Sequence, residues 1–134
     1  MSVDAQTDLQ TAIYSALTGD VTLMAAITGV YDFVPQSTSY PYITIGDDDY
    51  DWFGTMGVDG GEYNIQIDTW TQIEGRKSCK DIMKLVATVL HNGSLTISNN
   101  VHISTRLDFQ SSTKEADGFT HHGIQRYTII LHEA

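Results

Sequence analysis

The chain predicts an α+β domain with helices packed on one face of a mainly antiparallel sheet, in the order α-α-β-β-β-α-β-β-β. Three observations carry that prediction. Apolar residues recur at helical spacing near the start and again after residue 75. A period of two runs from Tyr63 to Trp70, and strand-like segments come in blocks instead of alternating with helices. With 134 residues the chain fits a single domain, and folding would bury roughly two thirds of its extended surface.

From Asp4 to Leu17 the residues Leu9, Ala12, Ile13, Ala16 and Leu17 make one apolar stripe of a helix that ends at Gly19. Asp20 is placed to cap a second short helix, Val21 to Ile27, stopped by Gly29. Strand signals follow over Val30 to Val34, broken by Pro35, and over Tyr42 to Ile45 after Pro41. Residues 46–62, rich in Asp and Gly, read as a hairpin tip or an irregular loop, the most mobile segment expected. Tyr63, Ile65 and Ile67 then alternate with Asn64, Gln66 and Asp68, the pattern of a strand with one buried face.

A third helix is expected from about Gly75 to His91, with Cys79, Ile82, Met83, Val86, Val89 and Leu90 on its apolar face. Thr71 and Glu74 have the spacing of a capping box, and Asn92-Gly93 suits a left-handed C-terminal cap. Leu95 to Ile97 reads as a short strand. A long strand from about Val101 to Ser111 is expected to put Ile103, Thr105, Leu107 and Phe109 on one side. Thr113 to Gly118 forms the turn into a last strand from about His122 to Glu133.

Charge is divided sharply along the chain. The first 75 residues hold twelve carboxylates and no Lys or Arg, whereas the last 59 hold all seven basic residues against five acids, for a net −10. Phosphate binding needs clustered Lys or Arg, so the first half cannot grip DNA or RNA. No stretch approaches the ~20 apolar residues of a membrane span, and the N-terminus lacks the features of a secretory signal, so synthesis in the cytoplasm is expected. Cys79 is the only cysteine, which excludes an internal disulfide and a thiolate metal cluster and suits core packing.

Candidate sites are few. Asp47, Asp48, Asp49 and Asp51 bring hard oxygen ligands together, but counting from Asp47 as an EF-hand puts Trp52 where Gly belongs and Val58 where the bidentate Glu belongs. A solvated acidic segment is the default reading, and no metal or other cofactor is assigned. His121 and His122 are adjacent on a strand, so they point to opposite faces and do not chelate one ion together. No nucleophile elbow, Walker loop or dinucleotide fingerprint occurs, so no catalytic residue is named. Arg76, Lys77, Lys80 and Lys84 gather on the third helix, while Trp52, Phe53 and Met56 put large apolar groups in the acidic segment. Different and complementary patches of this kind suit head-to-tail association of copies, with these seven residues as candidate subunit contacts.

The tracts Leu9-Gln-Thr-Ala-Ile-Tyr-Ser-Ala-Leu17, Gly29-Val-Tyr-Asp32, Val34-Pro-Gln36 and Tyr40-Pro-Tyr-Ile-Thr-Ile-Gly46 come first in a familiar series. Trp70, Gly75-Arg-Lys77 and Asp117-Gly-Phe-Thr-His-His-Gly-Ile-Gln-Arg126 follow in the same order. Together they resemble the tail-terminator or tail-completion proteins of long-tailed bacteriophages, prophages and gene transfer agents. That resemblance implies a non-enzymatic homo-oligomer, a six-fold ring on the head-proximal end of the tail. The ring would stop growth of the tail tube protein and join a neck or head-completion protein. DNA would pass through without specific binding, and Asp47, Asp48, Asp49 and Asp51 are expected to line or flank the channel. Alternatives are a head-tail connector, stopper or tube-like subunit of the same particle, or a small cytosolic acidic binding domain or enzyme.

Overall fold

A computed structural model describes residues 5–55, 58–72, 76–97 and 100–133. Helices α1 (Gln6–Thr18) and α2 (Val21–Ala26) precede strands β1 (Val30–Tyr31), β2 (Tyr42–Thr55) and β3 (Val58–Thr71). Helix α3 (Lys77–Leu90) and strands β4 (Asn100–Lys114) and β5 (His121–Glu133) complete the chain. The five strands form one sheet in the order β1-β2-β3-β5-β4, antiparallel except where β1 joins β2. The architecture is the expected α+β class, with all three helices on one side.

The central pair sets the two faces of the sheet. β3 and β5 are paired without interruption from Gly60↔His132 to Thr71↔His121. Tyr63, Ile65, Ile67, Tyr127, Ile129 and Leu131 all point to the helices and are buried. Leu9, Ile13 and Leu17 of α1 and Ile82, Val86 and Leu90 of α3 meet them, realising the stripes read from the sequence. The Ala5 amide donates to the Tyr63 hydroxyl at 3.0 Å, tying the start of α1 to this layer. Asp20 caps α2 by accepting from the Leu23 amide at 2.9 Å, and α3 ends in a turn whose Asn92 is left-handed with φ 58°.

Under the first half of α3 the interface turns polar and tight. A side chain at Gly123 would place its Cβ 2.5 Å from Met83 Sδ and 2.9 Å from Cys79 Sγ, so only glycine lets the helix lie this close. Burial pushes the Cys79 thiol up from its ordinary pKa, in keeping with a packing role. Gln125 spans the same layer by donating to the Met83 carbonyl at 2.9 Å.

Several expectations differ from the observed fold. Of the two readings of residues 46–62, the hairpin is the one observed and the irregular loop is not, because β2 and β3 remain paired as far as Thr55↔Val58. Thr71 ends β3, so it does not cap α3, and Glu74 lies outside the described residues. Leu95 and Ile97 are buried against the core but belong to no strand: their side chains fill space between elements without backbone pairing. A register shift between Leu107 and Phe109 turns Phe109 to the opposite side from Thr105 and Leu107, where it pairs with Arg126.

The β4–β5 turn is built on Asp117. Its carboxylate accepts from the Phe119 amide at 2.9 Å, the Thr120 amide at 2.8 Å and the Thr120 hydroxyl at 2.6 Å, while Gly118 takes a φ of +87°. Those bonds, the Thr120 hydroxyl first, hold the Asp117 carboxyl below the ordinary aspartate pKa. A depressed carboxyl stabilises the turn above its unfolded pKa and loses that effect as pH falls through its folded pKa. The Phe119 and Thr120 amide resonances should therefore hold position through the ordinary aspartate range and shift only at lower pH, and Asp117→Asn should abolish that titration. Gly123→Val should cost ~1–3 kcal/mol by lifting α3 from the sheet, a loss measurable by urea denaturation.

Candidate functional site

Helices cover only one face of the sheet, so the side chains pointing the other way form an open strand surface. Along β3 these are Glu62, Asn64, Gln66, Asp68 and Trp70, and along β5 His122, Ile124, Arg126, Thr128 and Ile130, paired residue by residue. A bulge between Ile45 and Asp48 shifts the phase of β2. Beyond it Tyr50 stacks on Tyr63 beneath the helices at 4.7 Å, while Asp49 and Asp51 stand opposite Asn64 and Glu62 on the open face.

Hydrogen bonds stitch this face across four strands. Asn64 Nδ2 donates to Asp49 Oδ1 at 2.9 Å, and the Thr128 hydroxyl lies 2.9 Å from Asn64 Oδ1 and against the Asp108 carboxylate. Asp108 also pairs with Arg106 Nε at 2.6 Å. Arg126 donates to Gln66 Oε1 at 3.3 Å and sits over the Phe109 ring at 5.4 Å. Between the outer strands lies a depression of about 430 Å³ whose lining includes Asp47, Asp49, Gln66, Asp108, Phe109 and Arg126. Its carboxylates and single guanidinium favour a basic or cationic surface over phosphate.

A second network occupies the far end of the same face. His122 stacks on Trp70 at 3.8 Å, with Nε2 2.7 Å from Asp68 Oδ1 and Nδ1 3.2 Å from Glu115 Oε1. Asp68 is only 6% exposed and accepts a further bond from Gln66 Nε2 at 2.9 Å. Trp70 Nε1 donates to the Thr44 hydroxyl at 3.1 Å. His121, by contrast, is buried on the helix side, so the two adjacent histidines face opposite ways as expected. Among the described residues no group of three His, Cys, Asp or Glu is gathered to hold a metal ion.

The basic helix flank and the acidic hairpin lie at opposite edges. α3 packs over β3, β5 and β4, whereas Asp47, Asp48, Asp49, Asp51 and Trp52 belong to β2, separated from β4 by β3 and β5. Arg76, Lys77, Lys80 and Lys84 are all exposed, and Lys77 pairs with Asp81 at 2.8 Å. Trp52 is 59% exposed. Phe53 lies in β2 opposite Gly60, with its side chain outside the described residues, as is Met56. Lys80, Met83, Lys84 and Ala87 line a groove of about 460 Å³ with Gln110, Ser111 and Ser112 of β4. The sequence pointed to neither this groove nor the Asp68–His122–Trp70 network, because their members come from separate elements.

What fold and face define is a single-sheet α+β domain that offers an extended acidic strand surface between two unlike edges. The tail completion protein gp17 family matches residues 11–132, and the chain belongs to that family, a tail structural protein. A search of curated proteins finds no match. Among solved structures, a chain from the virion of a native gene transfer agent particle is similar, with 20% identity and a TM-score of 0.90. The likeness covers 98% of this chain and 99% of that one, so the fold is shared end to end.

His122→Phe should keep the stack on Trp70 but remove both carboxylate contacts, leaving buried Asp68 with Gln66. The expected loss is ~1–3 kcal/mol, and adding Asp68→Asn should recover part of it in urea denaturation.

Proposed function

We propose that this protein forms a ring, six-fold by resemblance, at the head-proximal end of the tail. There it stops polymerisation of the tail tube protein and joins the tail to a neck or head-completion protein. Family membership across residues 11–132 is the observation that carries this reading. The role is one of assembly, without catalysis or a cofactor, at the junction of tail and capsid after synthesis in the host cytoplasm.

The geometry supports it in two ways. Separate parts of one domain carry opposite charge, which suits a heterologous contact between identical copies. Arg76, Lys77, Lys80 and Lys84 serve one side of that contact, and Trp52, Phe53 and Met56 the other. The open strand face meanwhile presents Asp49, Asp51, Glu62 and Asp108. Turned toward the channel, with Asp47 and Asp48 flanking it, this face keeps passing DNA from sticking, since like charges repel within the ~8 Å screening length of physiological salt.

Electron microscopy of particles assembled without the protein tests the reading. Tails of uncontrolled length, unattached to heads, are the expected outcome. Normal tails beside heads that leak DNA would instead assign a stopper, and a class average of the intact neck without a ring of this chain would overturn the proposal.

A further inference from the structure

The ladders fix which residues of the two sheet edges stand level with each other. Ile43 of β2 is level with Thr69, Gly123 and Ser112, and Thr44 with Asp68, Ile124 and Ser111. β1 pairs with Ile43 and Thr44 and is the outermost described strand on that side. The loop 32–41 leaves this edge after Tyr31 and rejoins it at Tyr42, so both of its ends stand at the same height. On the far edge that height holds Gln110 to Thr113 of β4 and the part of α3 over Gly123 and Gln125, around Cys79 and Met83. Trp52 of the acidic hairpin is level with Leu131 and His102 instead, well beyond the groove between α3 and β4. Within loop 32–41, Phe33 is 84% exposed, more than any other large apolar side chain among the described residues, and the adjacent Asp32 is exposed too. The loop is braced. The Thr28 amide donates to the Pro41 carbonyl at 2.8 Å, the Thr28 hydroxyl to the Ser39 carbonyl at 2.7 Å, and the Thr38 hydroxyl to the Pro35 carbonyl at 2.6 Å. An aromatic ring presented on a braced loop has little freedom left to lose on contact, which is what an interface anchor needs.

We infer that Asp32 and Phe33 of one copy seat in the groove between α3 and β4 of the next copy. This inference rests on the ring reading and names a contact within it. A closed ring turns each copy about its axis without lifting it. With the strands along that axis and the open face inward, the β1 edge of one copy meets the β4 edge of the next at equal height. Loop 32–41 then arrives beside Gln110 to Thr113 and the first half of α3.

Chemistry matches height. Met83 and Ala87 supply apolar surface for the Phe33 ring. Lys80 and Lys84 line the same groove, exposed Lys114 follows on β4, and none of these lysines enters an ion pair among the described residues. Asp32 brings one carboxylate to them. Asp48 brings another: it is exposed on β2 just past the bulge, level with Ile65, Tyr127 and Leu107. α3 runs toward that height, from Cys79 over Gly123 to the turn where Asn92 meets Thr105, and Lys84 lies between. A second copy of this chain therefore carries its aromatic ring and its acids at the heights where the groove offers apolar surface and ammonium groups. The two sides of the contact are different surfaces, as head-to-tail closure requires.

Particles assembled from a mixture of isotopically light and heavy chains test the contact. A carbodiimide joins a lysine directly to a carboxylate that touches it, and a cross-link between copies carries one label of each kind. The expected mixed-label products join Asp32 to Lys80 or Lys114 and Asp48 to Lys84. A ring in the class average of the neck whose lysines give none of these products, linking instead to other carboxylates, to a different protein or to nothing, would overturn the seating and leave the ring standing. A class average without a ring of this chain would remove both readings. In a second arm, Phe33→Ser should weaken assembly by roughly tenfold or more, as loss of an aromatic anchor does, without moving the urea midpoint of the free chain. Unchanged assembly would overturn the seating of Phe33.

Discussion

The uninterrupted ladder between β3 and β5 is the constraint on which the other features depend. Twelve consecutive pairs keep one set of side chains under the helices and the other set in the open, with no slip between them. In a strand a shift of one residue exchanges the two faces, so this ladder has to hold its register for the core to exist at all. The apolar residues at alternate positions supply the reason. Moving Ile65, Ile67, Tyr127 or Ile129 to the open side would expose large side chains that are now fully or nearly fully buried, at ~1.5–3 kcal/mol each.

Around that ladder the outer strands are re-phased by bulges, and this is where sequence and structure part. The alternation from Tyr63 to Trp70 and the stripes of α1 and α3 were legible because each depends on one element and its period. The Asp20 cap and the Asn92 turn were legible too, being local chemistry. A bulge has no comparable mark, since it is set by what lies on the neighbouring strand. Phe109 therefore read as sharing a side with Thr105 and Leu107, and it stands on the open face beside Arg126. Residues 46–62 read as either a hairpin tip or a loop because Asp and Gly are poor strand formers, and pairing between β2 and β3 decides for the hairpin. The acidic and basic patches could be named from composition, but not their separation to opposite edges, which follows from the strand order.

Polar residues on the open face have been organised without being buried in a pocket. Asn64, Thr128, Asp108 and Arg106 link β3, β5 and β4, and Asp68, His122 and Glu115 link β3 and β5 to the turn that follows β4. Such networks give a flat surface a fixed charge pattern: a carboxylate held by two or three partners cannot swing away to meet an approaching group. The open face thus presents carboxylates in a fixed pattern.

Charge distribution also bears on how copies of this chain can meet. Each carries a net charge of −10, so two copies repel at long range and any attraction has to arise locally, within the ~8 Å over which salt leaves charges unscreened. Two acidic hairpins brought together repel, and so do two basic grooves. Only unlike edges attract, which disfavours a symmetric dimer built on either patch and favours propagation from copy to copy in one sense. A chain of such contacts either runs on as a filament or returns to its start.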